Sequence, residues 1–179
     1  MRVIAGRFKG RRLKAPSWDG LRPTSDKLRE TLFNILTPFI EDARVLDGFA
    51  GTGAVGIEAL SRGAAHVTFI ESDRRAAALL EENLSACEVK EGFALRCGAI
   101  LRAFQEMPAT DRFTLILLDP PYETPGISEV LAAAAPHLTP DGVIVLERAT
   151  RRPAQVPDIL TITREVKSGD STLTFLAHA

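Results

Sequence analysis

The spacing of apolar residues switches repeatedly between the period of a helix and that of a buried strand. From residue 44 onward we predict strands at 44–48, 66–70, 93–97, 113–119 and 142–147, and helices at 53–62, from Asp73 to about 86, at 100–107 and near 127–137. Two last strands, 159–166 and 171–177, flank a hairpin turn, KSGD. The alternation predicts an α/β fold, a doubly wound, mostly parallel seven-stranded sheet with an antiparallel C-terminal strand. Ligands of such sheets bind at the carboxyl ends of the strands.

The first 40 residues have a different character. They carry nine Lys and Arg against three acids, although the 179-residue chain has a net charge of −1. GRFKGRRLKAP predicts two short strands around Gly10, a basic β-ribbon that could contact phosphates through Arg7, Lys9, Arg11 and Arg12. A solvated tail is the alternative. A helix from Thr24 to Ile40 follows, capped by Thr24 and ended or kinked at Pro38. We therefore divide the chain into a basic extension, 1–40, and a ligand-binding domain, 41–179.

Composition excludes several classes of protein. Apolar residues make up 45% of the chain, enough for a core. Apolar runs are too short to span a membrane, and the basic start lacks the apolar stretch of a signal peptide. Cys87 and Cys97 lack metal or redox spacing, so we expect free, mostly buried thiols in a reducing cytoplasm. No metal site is predicted, since none of the three histidines has a partner at ligand spacing: His66, His137 and His178.

The segment VLDGFAGTGAVGIEAL, residues 45–60, contains the spacing G-x-G-x-x-G between a strand and a helix. Gly51 and Gly53 would let the backbone turn and approach a ligand, and Gly56 would let the helix lie close to the sheet. Glu71 ends the second strand 20 residues after Gly51, where an acid binds ribose hydroxyls. The pattern predicts a nucleotide-like ligand.

Asp47 decides the class of that ligand. A carboxylate about 4 Å from a pyrophosphate would be repelled by roughly 4 kcal/mol at an effective dielectric near 20. S-adenosylmethionine has no phosphate and carries a sulfonium and an ammonium, so the same carboxylate would attract it. The sequence favours S-adenosylmethionine over a dinucleotide. A helix-capping or turn acid is the alternative role for Asp47.

A second candidate site is LLDPPYE, residues 117–123, after the fourth strand. Pro120 and Pro121 lack an N–H and offer only carbonyl acceptors in a stiff frame, Asp119 adds a carboxylate, and Tyr122 adds an aromatic face. Acceptors beside a stacking face suit the exocyclic amine of a nucleobase that has left its stack. Asp119 and the Pro120 carbonyl could orient that amine for in-line methyl transfer. A rigid loop is the alternative.

LDGFAGTGAVGIEAL, FIESD and LLDPPY resemble the motifs of class I, Rossmann-like S-adenosylmethionine-dependent methyltransferases that act on amino groups. RVIAGRFKGRRLKAP and LRPTSDKLRETLFNIL narrow the resemblance to the RsmD family, which methylates the N2 amine of a guanine in bacterial 16S ribosomal RNA. The resemblance covers most of the chain and is least informative after about residue 150. It implies rRNA binding and S-adenosylhomocysteine as product, and that family points to a largely assembled small subunit as substrate. We expect a cytoplasmic monomer.

The resemblance also assigns residues. It places the methionine moiety near Asp47, Phe49, Ala50, Gly51 and Gly53, and the ribose on Glu71, with Ser72 and Asp73 beside it. The target base falls to Asp119, Pro120, Pro121 and Tyr122, and the substrate side to Arg22, Thr24 and Arg29. One position departs from the pattern, because Gly98 stands where such enzymes often present Asp or Asn to the adenine. Adenine binding is then expected from backbone groups near Gly98 and Ala99.

Three other functions remain open. They are a DNA adenine-N6 methyltransferase, a nicotinamide-dependent oxidoreductase, and a non-catalytic RNA-binding module. The chain is short for the separate target-recognition domain of a DNA enzyme, and Asp47 with D-P-P-Y disfavours the oxidoreductase. Fold alone does not separate these functions, so the site must.

Overall fold

The chain forms seven strands and five helices within residues 1–18, 25–122 and 124–179, the part that a computed structural model describes. The strands are β1 Arg44–Gly48, β2 His66–Glu71, β3 Phe93–Cys97, β4 Phe113–Leu118, β5 Leu138–Ala149, β6 Leu160–Ser168 and β7 Ser171–His178. The helices are α1 Asp26–Ile40, α2 Ala54–Ser61, α3 Arg74–Ala86, α4 Ile100–Glu106 and α5 Ile127–Ala134, which a 3₁₀ turn, Ala135–His137, extends.

The strands form one sheet in the order β3-β2-β1-β4-β5-β7-β6. Strands β1 to β5 pair in parallel, whereas β7 is antiparallel to both β5 and β6. The predicted doubly wound sheet and its C-terminal hairpin are confirmed. Since β7 inserts between β5 and β6, the hairpin tip comes to lie beside the end of β5, where Ala149 pairs with Ser171.

Two hydrophobic layers cover the sheet, one on each face. Helices α1, α2 and α3 pack on the first face, where Phe33, Ile57 and Phe69 are fully buried. Helices α4 and α5 pack on the second face around Ile116 and Leu131. Both faces of the central strands are therefore apolar, which explains the uninterrupted apolar runs such as FTLILL in β4.

The N-terminal segment, residues 1–18, is not the predicted pair of strands. In the described chain its β-pairing is limited to one antiparallel bridge between Arg2 and Arg12, flanked by hydrogen bonds from the Val3 N–H to the Arg11 carbonyl and from the Leu13 N–H to the Met1 carbonyl. The backbone N–H groups of Ile4 and Ala5 donate to the Glu58 carboxylate, and those of Arg7 and Phe8 donate to Ser61. These donors are used on α2, so they are not available for a ribbon. Val3, Phe8 and Leu13 join the first hydrophobic layer.

Helix α1 differs from the prediction at its N-cap and excludes one of the two alternatives at Pro38. Its N-cap is Ser25, whose side chain accepts from the Leu28 N–H, and the expected cap Thr24 lies outside the described residues. Pro38 does not end the helix, which continues to Ile40. Because α1 and the N-terminal segment share one core with the sheet, the boundary at residue 40 stays a prediction.

Candidate active site

A cavity of about 740 Å³ opens over the carboxyl ends of the strands. Four of the acids that line it stand at the ends of four adjacent strands, in the order β2, β1, β4, β5: Glu71, Asp47, Asp119 and Glu147. Asp47 pairs in register with Phe69 and Leu117, and Leu117 pairs with Val145. Since side chains alternate along a strand, all four carboxylates project from the same face of the sheet, on strands about 4.8 Å apart. Asp47 lies two residues deeper along its strand than the other three. We call this set the acidic row.

Asp47 is the most deeply placed member of the acidic row and is 3% exposed. Its Oδ2 accepts the Gly56 N–H at 2.8 Å. Helix α2 has Gly53 as N-cap and no side-chain cap of its own, so Asp47 supplies an acceptor from β1. The pKa of Asp47 is raised to about 7, mainly by burial and also by the charges of Asp119 and Glu71, against the lowering effect of the Gly56 hydrogen bond. Asp47 therefore does cap helix α2. A cation placed beside Asp47 would lower its pKa again.

The glycine turn has the left-handed backbone that glycine permits. Gly51 and Gly53 have φ of 55° and 77°, and Phe49 has φ of 63°, which is unusual for a residue with a side chain. A Cβ on Gly56 would overlap the Phe69 ring of β2, so the glycine sets the close approach of α2 to the sheet. Phe49, Ala50 and Gly51 line the cavity, but Gly53 does not.

Glu71 organises the end of the cavity at β2. Its Oε2 accepts the Gly51 N–H and its Oε1 accepts the Asp73 N–H, both at 2.7 Å. Asp73 caps α3 through the Arg75 N–H, and the Arg75 side chain, with that backbone bond, holds the pKa of Asp73 at about 2. Ser72 and Asp73 line the cavity as predicted for a ribose end. The Asp73 carboxylate therefore stays ionised at neutral pH beside any ligand bound there.

Trp18 lines the same end of the cavity, where the Arg75 guanidinium lies 5.1 Å from its ring centroid. Trp18 therefore lies at the end of the cavity where the ribose is predicted to bind, and since it is the sole tryptophan of the chain, its fluorescence can report ligand binding there.

The D-P-P-Y segment forms the opposite wall. Asp119 is half-buried, Pro120 is buried, and Pro121 is exposed. The Tyr122 hydroxyl lies 2.7 Å from Ser171 Oγ, and the Tyr122 carbonyl accepts from Arg152 at 2.9 Å. The backbone and the ring of this tyrosine are thus held from two sides.

Sequence reasoning missed the C-terminal hairpin as part of the site. Ser168, Gly169, Asp170 and Ser171 line the cavity, and Ser171 Oγ donates to Glu147 Oε1 at 3.0 Å. Glu147 follows the apolar run VIVL as Asp119 follows LILL, so the sequence did carry a signal for it. The hairpin carried none, because only the insertion of β7 beside β5 brings its tip to the cavity.

Two predicted cofactor residues lie outside the cavity lining. The Gly98 N–H donates to the Glu71 carbonyl at 2.8 Å, and Ala99 is the N-cap of α4. A Cβ on Gly98 would meet no atom within 4 Å, so space remains there. Neither residue lines the cavity, so the expectation that adenine binds at their backbone groups stays a prediction.

Arg29 is not on the substrate side, which corrects the prediction made for it. It is fully buried beneath the N-terminal segment, where it donates to the Arg2 carbonyl and to Asp26, with Glu58 3.9 Å away. Burial lowers the pKa of Arg29 against the opposing charges of Asp26 and Glu58. Its place beside Phe33 and Leu36 on one stripe of α1 makes it a structural residue.

The remaining basic candidates lie away from the cavity. Arg7, Lys9 and Arg12 are exposed, whereas Arg11 pairs with Glu88 at 3.0 Å, and none of the four lines the cavity. The Arg7 N–H donates to the Ser61 carbonyl at the far end of α2, about 9 Å along the helix from Val55, the last residue of α2 that lines the cavity. Arg22 and Thr24 lie outside the described residues.

Within the described residues, no group of three or more His, Cys, Asp or Glu is placed to hold a metal ion, and no helix is long and apolar enough to cross a membrane. The cysteine prediction holds in part, because Cys87 is buried but Cys97 is exposed.

A family model described as Conserved hypothetical protein 95 matches residues 1–177. The chain belongs to this family, the RsmD family. A relative named Ribosomal RNA small subunit methyltransferase D, from Haemophilus influenzae, is 35% identical over 94% of this chain and 89% of its own length. The protein of the same name from Escherichia coli is 43% identical over 73% of this chain and 65% of its own length.

The solved structures agree on the fold. A hypothetical protein from Thermus thermophilus superposes with a TM-score of 0.85 at 28% identity, covering 100% of this chain and 99% of that chain. The family match reaches almost the whole chain, including residues 1–18, and so bears out the resemblance first seen in the N-terminal motifs.

Proposed function

We propose that this chain transfers a methyl group from S-adenosylmethionine to the exocyclic N2 amine of a guanine in small-subunit ribosomal RNA. The observation that carries the proposal is the acidic row, in which Asp47 precedes the glycine turn and Asp119, at the end of the next strand, begins D-P-P-Y. The relatives named Ribosomal RNA small subunit methyltransferase D support the reaction and the class of RNA.

The residues at the β2 and β1 end fit S-adenosylmethionine. A volume of about 740 Å³ lies within the range of small-molecule sites. Asp47, with its pKa near 7, would be stabilised in its ionised form by an ammonium group, which a pyrophosphate would not do. Glu71 already accepts two backbone N–H groups, and its two oxygens together have about four acceptor positions, so ribose hydroxyls can be added.

When bound, S-adenosylmethionine supplies an activated methyl group, whose S–C bond breaks as the N–C bond forms, so that the electron pair stays on sulfur and S-adenosylhomocysteine is left. The protein's part is to place the amine. Asp119 and the Pro120 carbonyl accept its two N–H groups and direct the nitrogen lone pair toward the cofactor end of the cavity. Asp119 is the acceptor for the proton that the methylated amine releases. Tyr122 covers the face of the base, held by Ser171.

The exposed cations Arg7, Lys9 and Arg12 support RNA binding at a distance from the reacting base. Their separation from the cavity along α2 fits contacts to backbone phosphates of neighbouring nucleotides, since phosphates fix orientation without reading sequence. We propose that the substrate is RNA within the small subunit, that the protein acts as a monomer in the cytoplasm, and that no metal takes part.

The first test is nucleoside mass spectrometry of ribosomal RNA from cells that lack the protein. We expect loss of N2-methylguanosine at one position and its return when purified protein and S-adenosylmethionine are added to the isolated subunits. An unchanged nucleoside profile would reject the proposal. Methylation of adenine in DNA by the purified protein would favour the alternative function, a DNA adenine-N6 methyltransferase.

The second test separates catalysis from binding. Asp119→Ala should lower methyl transfer to these subunits by at least about 100-fold, because it removes an acceptor that positions the amine. Its affinity for S-adenosylmethionine, followed by Trp18 fluorescence or calorimetry, should change little. Asp158→Ala is the matched control at an exposed position. Wild-type turnover in Asp119→Ala would leave the non-catalytic RNA-binding module as the better interpretation.

A further inference from the structure

The fourth carboxylate of the acidic row, Glu147, has no role in the methyl transfer described above. It is 8% exposed and lines the cavity at the end of β5, one strand beyond Asp119. Leu118 pairs in register with Leu146, so the next residues of the two strands stand side by side on the same face of the sheet. Glu147 therefore lies beside Asp119 on the side opposite Asp47.

This placement fixes which part of the substrate Glu147 would meet. The cofactor end of the row is at β2 and β1, and the target amine is held at β4. Because β5 follows β4 on the side away from β1, a base ring that extends from its amine away from the cofactor end extends toward Glu147. The neighbouring strands are about 4.8 Å apart, which is within reach of two adjacent groups on one base for side chains of this length.

The Glu147 carboxylate is oriented by a directed chain of hydroxyl groups. Ser171 has one hydroxyl proton, and it donates this proton to Glu147 Oε1 at 3.0 Å. The hydrogen bond of 2.7 Å between Tyr122 and Ser171 must then have the tyrosine as donor. One serine thus positions both the aromatic face and the carboxylate, and the chain ends on a group that only accepts hydrogen bonds.

An acceptor beside the amine distinguishes the bases. In guanine the carbon that bears the N2 amine lies between N3, which has a lone pair, and N1, which carries a hydrogen, so the N1 side of the amine offers a donor. In adenine and cytosine the ring nitrogen next to the amine has a lone pair and would face the carboxylate as a second acceptor. Among the bases with an exocyclic amine, only guanine therefore offers a donor at that position.

We propose that Glu147 is the specificity-determining residue that selects guanine, by accepting the N1–H while Asp119 and Pro120 hold the N2 amine. This inference rests on the proposed function, in which an N2 amine is the target. A buried acceptor that loses its donor is costly, so a site of this kind rejects an analogue without the hydrogen.

The experiment uses small subunits reconstituted with RNA that carries one of two bases at the position that the wild-type protein methylates, mapped by mass spectrometry. The bases are guanine and 2-aminopurine, which keeps the amine at C2 but has a lone pair at N1. Wild-type protein should prefer guanine in kcat/KM by roughly 10- to 100-fold or more. Glu147→Gln should narrow that preference at least about tenfold, because a glutamine amide can donate to N1 of 2-aminopurine.

The change in preference between the two proteins is the decisive quantity, since 2-aminopurine also differs in the reactivity of its amine. Asp141→Asn, an exposed acid on the same strand, should leave the preference as in wild type. Unchanged S-adenosylmethionine affinity in Glu147→Gln shows that the site is folded. An unchanged preference in that variant would overturn the role of Glu147.

Two outcomes need no variant. If wild-type protein methylates 2-aminopurine with the same kcat/KM as guanine, the inference is wrong even when Glu147→Gln does not fold. If wild-type protein methylates no guanine in subunits from cells that lack it, the proposed function fails first. The inference about Glu147 then falls with it.

Discussion

Asp47 carries a folding cost that neutral substitution should remove. The shift of its pKa from the ordinary 3.8 to about 7 corresponds to about 4 kcal/mol at 1.36 kcal/mol per unit. Between about pH 4 and pH 7 the folded protein keeps a proton on Asp47 that the unfolded chain releases. Stability therefore falls as pH rises through this window, and the full cost is present above pH 7.

Asp47→Asn removes the charge and keeps an oxygen that can accept the Gly56 N–H. At pH 8 we expect the free energy of unfolding of the unliganded variant to exceed that of wild type by up to about 4 kcal/mol. At pH 5.5 this gain should be smaller by about 2 kcal/mol. Urea unfolding at the two pH values measures both gains, and the difference between them should appear as a midpoint shift of about 1 M.

The same variant should bind S-adenosylmethionine about 10- to 100-fold more weakly, because it loses a charged partner for the ammonium. Asp141→Asn, at an exposed position, controls for the loss of one acid. A gain in stability that is equal at pH 5.5 and pH 8, or a loss at pH 8, would refute the reasoning from burial. Unchanged cofactor affinity would refute the pairing with Asp47.

Two further predictions concern residues that support the site. Gly56→Ala should destabilise the fold by about 2 kcal/mol or more in urea unfolding, since its Cβ overlaps the Phe69 ring. Arg29→Met should cost about 2 to 4 kcal/mol, because it leaves Glu58 buried with one cation fewer, and it should not alter the salt dependence of RNA binding. Arg12→Met should change the free energy of unfolding by less than about 0.5 kcal/mol, and it should weaken the dependence of RNA affinity on salt concentration.

Each of these has a direct check. Phe69→Leu should relieve part of the Gly56→Ala cost, so that the double variant loses less than the two single variants together. Additive losses would place the strain elsewhere. A shallower salt slope in Arg29→Met would show that Arg29 reaches RNA after all, and an unchanged slope in Arg12→Met would return the N-terminal cations to a solvated surface.

The sequence by itself determined the sheet and the two motifs at its rim. Strand and helix periods are local, and in a parallel sheet the residue after each apolar run must fall at the carboxyl edge. Asp47, Glu71 and Asp119 were found for that reason, and Glu147 follows the same rule although it was not used. Arg29 was also readable, because it lies at helical spacing with Phe33, Leu36 and Ile40 on the buried face of α1.

Tertiary structure alone decided how the ends of the cavity are closed. The hairpin tip reaches Tyr122 and Glu147 only because β7 inserts between β5 and β6, a pairing between residues far apart in the chain. The N-terminal segment does not form the predicted ribbon around Gly10, because Glu58 and Ser61 of α2 accept hydrogen bonds from its backbone N–H groups. Local patterns report which backbone conformation a segment prefers. They do not report which distant acceptor its hydrogen bonds will reach.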